Sequence, residues 1–451
     1  MDLSLKEYLK KESRLNKIDS FTISGGIPIW RIVRSKMRNN LLNDKVKTVG
    51  AKISIQLFVN VLTSFIQLTK VVIRRKHIDN ILFPHPRLFK IRDVFIERLS
   101  DPIIEYSDIK DSYIIFDRWQ NGIHQKPRMH SDKCIYWDFI PFFALIFSRL
   151  FDGIITKKYS YQIKGLVSEL SKEFEVTDEM IKDIRRELSC FIISYRLSNP
   201  ILRACSPKRV FLAPRTTYNY IIAFGKKNNF KSYELQHGIT LGQTKLYSGE
   251  YHDAIDPDYF LTFGKGNVSN LFGIPLEKIK NIGYAYGRYI KDLQKGNSDQ
   301  KNRILVISEP QISEILLDTI GELAKLHGEL EFDFRCHPHE SLNKKQKKFI
   351  NCHSNIHEVD NIEESFSVIN KYPIIIGENS SVIFEALFLN KKVGRLNFNG
   401  LKVDTDSAIQ GGVIINSIEE FDSFIKSRLS DDNDTLSLYS EFNPETVNNL
   451  E

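Results

Sequence analysis

From about residue 78 onward, short apolar runs rich in β-branched and aromatic residues alternate with stretches of helical periodicity. The unit at 209–236 shows this most plainly, with a strand at 209–213, a helix through Phe224 and a second strand at 231–236. Strands that alternate with helices in this way are typical of a parallel sheet covered by helices on both faces. The alternation therefore predicts an α/β protein of the doubly wound kind.

The alternating units fall into two series, with a break near residue 255. We therefore expect two doubly wound, Rossmann-like domains that face each other across a cleft, preceded by a helical N-terminal extension. The expected boundaries are 1–76 for the extension, 77–255 for the first domain and 256–451 for the second domain.

The extension is basic and contains the longest uncharged run, at 53–69. Polar residues recur there at helical spacing and form one stripe, which predicts an amphipathic helix too short and too polar to span a bilayer. Two interpretations remain open. The helix packs on the domain core, or it lies in a membrane interface beside the basic residues at 74–76. A second apolar stretch at 139–148 is a core segment or a membrane-facing patch.

Charge and cysteine content indicate the cellular compartment of the protein more than its reaction. The 451 residues carry 63 basic and 56 acidic side chains, for a net charge of +7, with early basic residues at 31–38 that could face nucleic acid, anionic lipid or an anionic substrate. The opening residues include no apolar segment of the secretory kind, and the five cysteines form no CxxC pair. We expect a cytoplasmic protein without structural zinc.

The first candidate site follows the strand that ends in the 209–236 unit, because ligands of open α/β sheets bind at the carboxyl ends of strands. The residues at 234–238 are Glu-Leu-Gln-His-Gly. His237 lies just past the strand, where its ordinary pKa suits a general base, and Gly238 permits a sharp turn. The alternative is a histidine that only satisfies loop carbonyls.

Two further strand ends carry groups suited to an anion. Arg335 and His337, in Arg-Cys-His-Pro at 335–338, offer two donors for a phosphate oxygen. At 376–381 the sequence Ile-Gly-Glu-Asn-Ser-Ser opens a helix, whose free N–H groups attract anions near Asn379, Ser380 and Ser381. Plain N-capping explains the serines equally well.

Glu385, His85 and Arg87 complete the set of candidates. Glu385 lies one turn into the helix that the serines open and could reach a pair of ribose hydroxyls or face a neighbouring helix. His85 and Arg87 follow a strand of the first series, and either could meet an acidic acceptor across the cleft. The sequence contains no phosphate-loop, nucleophile-elbow, zincin or dinucleotide-binding motif. The absence of these motifs argues against an ATPase, a serine hydrolase, a zincin and an ordinary dinucleotide-dependent dehydrogenase.

The order of these segments resembles that of bacterial surface-polysaccharide glycosyltransferases of the two-Rossmann, GT-B architecture, over about residues 80–400. Glu-Leu-Gln-His-Gly at 234–238 is similar to the Gln-His-Gly signature of capsule and O-antigen biosynthesis proteins. Arg-Cys-His-Pro at 335–338 resembles the His-Pro motif of sialyltransferases and Kdo transferases. Glu-Asn-Ser-Ser at 378–381 resembles their Ser-Ser/Thr motif and the serine pair of teichoic-acid glycerophosphotransferases.

The resemblance implies a nucleotide-activated donor, with a CMP-linked sugar among the candidates, held by the second domain without a metal or cofactor. His337, Ser380 and Ser381 would contact the donor phosphate, with Arg335, Asn379 and Glu385 beside them. His85 and Arg87 would bind the acceptor. Sialyltransferase-type enzymes use an acidic base in a motif that this chain lacks, whereas teichoic-acid enzymes use a His-Gly histidine. That favours His237 as base, with Glu234 orienting it or replacing it.

The expected function is transfer of a sugar to a growing capsule or lipopolysaccharide O-chain, on a lipid-linked or polysaccharide acceptor at the cytoplasmic face of the inner membrane, with no nucleic-acid partner. Three alternatives remain open: a teichoic-acid-type polyol-phosphate transferase using a CDP-alcohol, a nucleotide-sugar epimerase, and a non-catalytic membrane-associated scaffold.

Overall fold

Two parallel sheets, one of seven strands and one of six, dominate the computed structural model. The structure describes residues 3–42, 55–120, 122–238, 247–265, 273–293, 302–337, 340–360, 363–403, 411–427 and 438–451. Strands within each of the two sheets pair in parallel, and most are buried on both faces, as expected for runs of apolar residues enclosed by helices. The prediction of two doubly wound, Rossmann-like units is confirmed.

The N-terminal extension consists of three helices and a small hairpin: α1 Leu5–Glu12, β1 Thr22–Ile23, β2 Ile27–Pro28, α2 Ile29–Leu41 and α3 Ile55–Arg74. A capping box fixes the start of α1, where Ser4 and Glu7 satisfy each other's backbone N–H groups. Tyr8 and Trp30 are fully buried in the core of the first domain. The extension therefore folds back onto that domain and shares its core.

The early basic residues at 31–38 largely take part in this packing, where they form ion pairs and hydrogen bonds. Arg34 is buried against Glu12 and donates to the Ser248 carbonyl at 2.7 Å, while Arg31 pairs with Asp19 at 2.6 Å. Burial alone would raise the pKa of the Glu12 carboxyl, but the hydrogen bonds and charge of Arg34 lower it below its ordinary value. This cluster ties the extension down, and it does not present the open positive surface that the sequence suggested.

The first sheet has the strand order β11-β10-β9-β8-β3-β6-β7. Its strands and the hairpin inserted after the first of them are β3 Asn80–Phe83, β4 Phe89–Ile91, β5 Val94–Ile96, β6 Tyr113–Asp117, β7 Cys134–Tyr136, β8 Arg209–Leu212, β9 Lys231–Leu235, β10 Tyr259–Thr262 and β11 Ile279–Asn281. The accompanying helices are α4 Asp101–Tyr106, α5 Phe139–Thr156, α6 Ser160–Leu170, α7 Asp178–Cys205, α8 Arg215–Asn228 and α9 Ala285–Leu293.

The second sheet has the strand order β14-β13-β12-β15-β16-β17. Its strands are parallel, and their order along the chain runs outward in opposite directions from the neighbouring strands β12 and β15. Its strands are β12 Arg303–Ile307, β13 Glu331–Arg335, β14 Ile356–Val359, β15 Ile374–Gly377, β16 Lys392–Leu396 and β17 Val413–Ile415. Its helices are α10 Ser313–Leu326, α11 Lys344–Asn351, α12 Ser365–Ile369, α13 Ser381–Phe388 and α14 Ile418–Lys426, and the chain continues to α15 Pro444–Asn448.

The change from one sheet to the other comes later in the chain than we expected. β10 pairs with β9, and β11 pairs with β10, so both strands belong to the first sheet although they follow residue 255. The boundary expected at 255 must therefore move beyond Asn281, because these two strands restart the βα rhythm without starting a new sheet.

The C-terminal segment, residues 438–451, returns to the first domain. The Ser440 N–H donates to the Phe263 carbonyl at 2.8 Å, and the Asn443 N–H donates to the Ile282 carbonyl at 2.9 Å. Leu438 and Tyr439 are buried in a core cluster that joins side chains of both sheets. Residues 438–451 are therefore held firmly against the first domain, while residues 428–437 before them lie outside the described residues.

Candidate functional site

A cleft of about 560 Å³ lies between the carboxyl ends of the two sheets. Both domains supply polar groups to its walls, and the C-terminal segment supplies Tyr439. The polar residues that line the cleft include Arg87, Arg98, Glu309, His337, Glu364, Ser380 and Glu385. The structure therefore brings candidates from three of the four strand ends into one space, with the fourth represented by Gly238 at its edge.

The turn after β9 is held in place by hydrogen bonds from the buried Gln236 side chain. Its Oε1 accepts the Phe263 N–H at 2.7 Å, and its Nε2 donates to the Gly238 carbonyl at 2.7 Å. The Tyr247 hydroxyl accepts the His237 N–H at 2.9 Å. These hydrogen bonds fix the backbone of His237 next to the cleft residue Gly238, whereas His237 and His85 do not themselves line the cleft.

His237 packs against the second histidine that the sequence singled out. The ring centres of His85 and His237 are 4.3 Å apart, and the Arg87 N–H donates to His85 Nδ1 at 3.2 Å. Burial, and then the charges of Arg98 and Arg87, lower the pKa of His237 to about 4. Burial, and then the neighbouring histidine and arginines, lower the pKa of His85 to about 3. Both rings are neutral at pH 7, so His237 can accept a proton.

Glu234 faces away from His237. Its carboxylate is fully buried, accepts the Arg215 N–H at 2.8 Å where α8 begins, and lies 3.6 Å from the Arg215 guanidinium. Burial raises the pKa of this carboxyl to about 7, although Arg215 opposes the rise. These contacts support α8, and Gln236 rather than Glu234 makes the contacts that fix the His237 turn.

On the opposite wall, α13 begins at the cleft. Ser380 caps it, since its Oγ accepts the Val382 N–H at 3.4 Å. The loop before the helix is braced by the buried Arg395, which donates to the Glu378 carbonyl at 3.1 Å and to Asn379 Oδ1 at 2.7 Å. Two N–H groups of the first turn already have partners on Ser380, because the Val382 N–H donates to its Oγ and the Ile383 N–H donates to its carbonyl. The positive end of the helix dipole still favours an anion at this position.

Asn379 and Ser381 are the two other predicted residues of this loop. The Asn379 side chain lines the cleft but also donates to the Lys402 carbonyl at 2.9 Å, so it serves to hold the loop. Ser381 is the first residue of α13, and its side chain lies outside the described part of the structure.

The end of β13 places one of its two candidates in the cleft and one behind it. His337 lines the cleft, and its backbone N–H donates to the Glu340 carboxylate at 3.2 Å. Arg335 is buried, donates through Nη2 to the Glu363 carbonyl, and has a buried Nη1 without a hydrogen-bond partner among the described residues. Burial lowers the pKa of Arg335, and the carboxyls of Glu364 and Glu385 oppose that effect.

Glu385 lines the cleft from a position one turn into α13. Its carboxyl is buried, and Oε2 has no hydrogen-bond partner among the described residues. Burial raises the pKa of this carboxyl to about 8; Arg98 opposes the rise and Glu364 adds to it. The raised pKa favours the protonated form of Glu385, which can donate a hydrogen bond to a ligand oxygen.

Arg98 is a cleft residue that the sequence did not reveal. Its Nη2 donates to the His237 carbonyl at 3.5 Å, and its guanidinium lies 5.5 Å from the centre of the Phe89 ring. Its pKa is raised because the nearby acidic groups, Tyr284 and Glu385 foremost, outweigh the effect of burial. Arg98 follows the β4–β5 hairpin and ends no strand of the sheet, so no motif marks it. It connects the two walls electrostatically.

No family model and no curated protein sequence matches the chain. Among solved structures, the chain is similar to UDP-GlcNAc 2-epimerase from Neisseria meningitidis (TM-score 0.47, 15% identity, covering 82% of this chain and 99% of that one). It is also similar to the wall teichoic acid polymerase TagF (TM-score 0.40, 12% identity, covering 91% and 94%). Similarity at this level carries no information about activity.

Proposed function

We propose that the protein is a glycosyltransferase that moves a sugar from a nucleotide-activated donor to a growing surface polysaccharide, without a metal ion or cofactor. One observation carries the proposal: Arg87, Arg98, His337 and the N-terminus of α13 converge on a single cleft beside the His237 turn. The first domain supplies positive charge from Arg87 and Arg98, the second domain supplies a helix N-terminus and His337, and His237 lies beside the cleft as a base.

The chemistry of glycosyl transfer fits these groups. The bond between the anomeric carbon and the donor phosphate breaks, and its electron pair leaves with the nucleotide. The positive end of the α13 dipole and the side chain of His337 stabilise that negative charge, as fixed dipoles and donors do in a site from which water is excluded. The acceptor hydroxyl bonds to the anomeric carbon and gives its proton to His237.

The low pKa of His237 is compatible with this role. Burial and the two arginines disfavour its protonated form, so the ring remains neutral over the physiological range. A bound anionic donor would offset the arginine charges and raise the pKa towards the value at which a histidine base works best. The donor would thus activate the base.

A polyol-phosphate transferase that uses a CDP-alcohol is the second candidate. In phosphoryl transfer the reacting phosphorus lies between the two walls, so cations are needed on the acceptor side as well. Arg87 and Arg98 come from the first domain and provide that charge. The same cleft, the same base and the same α13 N-terminus would serve this reaction.

The partners that fit either reaction are a nucleotide-linked donor and a lipid-linked or polysaccharide acceptor, in capsule or lipopolysaccharide O-chain assembly. The acceptor would approach from the first-domain side, where Arg87 and the His85–His237 pair lie. Such an acceptor places the protein at the cytoplasmic face of the inner membrane.

The proposal is tested by ligand-induced thermal stabilisation with CMP, CDP, UDP and GDP conjugates, followed by a transfer assay with the stabilising donor. We expect His337→Ala to weaken donor binding about tenfold, since it removes a donor to the phosphate. We expect His237→Ala to leave donor binding unchanged and to lower transfer by roughly 10²–10⁴-fold.

His77→Ala is the matched control, because His77 is an exposed histidine paired with Asp79 away from the cleft. Unchanged turnover in His237→Ala would remove this residue as the base. Preference for a CDP-alcohol would favour the second candidate. If no nucleotide conjugate stabilises the protein, the enzyme proposal fails and a scaffold role stands.

A further inference from the structure

Helix α3 buries a mixed face and exposes an apolar one. Leu57, Val61 and Leu68 are buried together with the polar residues Asn60 and Ser64. The Asn60 amide donates to the Gly122 carbonyl at 3.0 Å, and the Ser64 hydroxyl donates to the Tyr136 carbonyl at 2.6 Å. Gln67 Oε1 accepts the Tyr136 N–H at 2.7 Å. These polar side chains therefore help to anchor α3 to the first domain, while the outer face, which is polar in an ordinary surface helix, carries exposed apolar residues.

The exposed apolar face of α3 continues onto α5. Phe58 lies against Phe142 and Phe65 against Phe139, with ring centres 6.1 and 5.0 Å apart, so the two helices adjoin. Thirteen of the twenty-one large apolar side chains exposed in the described residues lie on these two helices. They are Ile55, Phe58, Val59, Leu62, Phe65, Ile66, Ile73, Leu145, Ile146, Phe147, Leu150, Phe151 and Ile154. Soluble proteins rarely expose so concentrated an apolar surface unless it binds something.

The ends of this surface are basic. Exposed Lys70, Arg74, Arg75 and Lys76 stand at the end of α3, and exposed Arg149, Lys157 and Lys158 accompany the end of α5. The two helices contain a single acidic residue, Asp152. An apolar face bordered by positive charge matches the acyl boundary and the headgroups of an anionic bilayer.

Both helices are long and apolar enough to cross a membrane by length and composition alone. Their contacts favour a different placement, because each helix is attached to the domain along one side. Asn60 and Ser64 hold α3, while Ile140, Ala144 and Ser148 of α5 are buried in the protein. A helix fixed in this way can lie in the interface plane with only its outer face in lipid.

We propose that the outer faces of α3 and α5 form a membrane-docking surface that inserts into the headgroup region of an anionic phospholipid bilayer. The surface belongs to the first domain, on which the proposed acceptor side of the cleft also lies. Docking would bring a lipid-linked acceptor to that side, an implication that rests on the proposed function, whereas the docking surface itself does not.

The test is flotation of the full-length protein with vesicles of phosphatidylcholine alone and with about one third phosphatidylglycerol. We expect the wild-type protein to float with the anionic vesicles and the double variant Leu62→Glu/Ile154→Glu to lose at least about tenfold in partitioning, since each glutamate adds a charge to the inserted face. The control is Leu276→Glu/Leu326→Glu. Leu62 and Leu326 are 60% and 59% exposed, and Ile154 and Leu276 are both 74% exposed.

Thermal unfolding and donor-induced stabilisation accompany the flotation. Because all four positions are exposed, we expect both double variants to melt like the wild type and to respond to nucleotide as it does. Failure of the wild type to float, or equal flotation of Leu62→Glu/Ile154→Glu, would overturn the docking surface and leave the proposed function untouched. A wild-type dimer in light scattering that this variant dissociates, without flotation, would identify the surface as a self-association site and also overturn the proposal.

Discussion

Glu385 combines a buried carboxyl, an unpartnered oxygen and a place in the cleft wall. Its pKa is raised from the ordinary value of 4.5 to about 8, chiefly by burial. When the pKa of a carboxyl is higher in the folded state than in the unfolded state, the free energy of unfolding is highest at a pH where the carboxyl is protonated in both states. Its contribution is intact below about pH 4.5 and is lost as the pH rises towards 8.

We therefore expect Glu385→Gln to unfold like the wild type at pH 4.5 and to be more stable at pH 8, by up to about 4 kcal/mol. Urea unfolding at both pH values measures this difference. Glu277→Gln, at an exposed glutamate of the first domain, is the control and should show no such pH dependence. A Glu385→Gln variant less stable than the wild type at pH 8 would mean that the charged form is the one the fold accommodates.

At the scale of single residues, the sequence predicted the cleft better than the roles. Arg87, His337, Ser380 and Glu385 follow strands, and the carboxyl ends of parallel strands share one edge, so their convergence could be inferred. Arg98 could not be found, because only the packing of the β4–β5 hairpin brings it to the His237 carbonyl. The alternation of residues along β9 also does not show that Glu234 contacts the start of α8.

Among the elements, the turn after β11 depends on close backbone contact. Gly283 has φ +77°, and a Cβ there would lie 2.1 Å from the carbonyl oxygen of Glu441 in the C-terminal segment. Both the positive φ and the adjacent backbone require glycine at this position.

We expect Gly283→Ala to destabilise the protein by roughly 2–4 kcal/mol, because the segment must shift and the backbone is strained. The midpoint of urea unfolding measures it, and faster proteolysis within 438–451 would show where the loss falls. Gly153→Ala is the matched control, since a Cβ at Gly153 meets nothing within 4 Å. Equal midpoints for the two variants would show that the segment adapts without cost.

Helix periodicity predicted α3 and its polar stripe, yet it left open which side meets water. The pattern records only that the two faces differ. The hydrogen bonds of Asn60 and Ser64 to Gly122 and Tyr136 of the first domain help to decide the orientation, and those partners are 62 and 72 residues away in the chain. Long-range partners of this kind are not visible in a local pattern.

At the scale of the whole molecule, one core cluster joins the two sheets. It contains Phe211 of the first sheet, Ile375 of the second and Tyr439 of the C-terminal segment. The strand-and-helix rhythm predicted two sheets but put their boundary at 255. The reason is that membership of β10 and β11 in the first sheet depends on pairing with β9 and is not recorded in their own residues.

We expect Tyr439→Ala to lower the free energy of unfolding by about 3–5 kcal/mol and to separate the unfolding of the two domains, because Tyr439 packs against side chains that join them. Differential scanning calorimetry would then show two transitions in place of one. Tyr161→Ala, at a tyrosine that is 83% exposed, should leave the profile unchanged. A single, equally cooperative transition in Tyr439→Ala would contradict a joining role.

The packing of residues 438–451 on the first domain also affects when that domain can complete its folding during translation. The ribosome makes this segment after every strand of both sheets, yet the segment covers Phe263 and Ile282 at the edge of the earlier domain. A nascent chain that has completed the first sheet still exposes the apolar surface that the late segment will cover, for as long as synthesis of about 150 further residues takes, on the order of 10 seconds. Chaperone capture of the nascent protein should therefore concentrate in that interval.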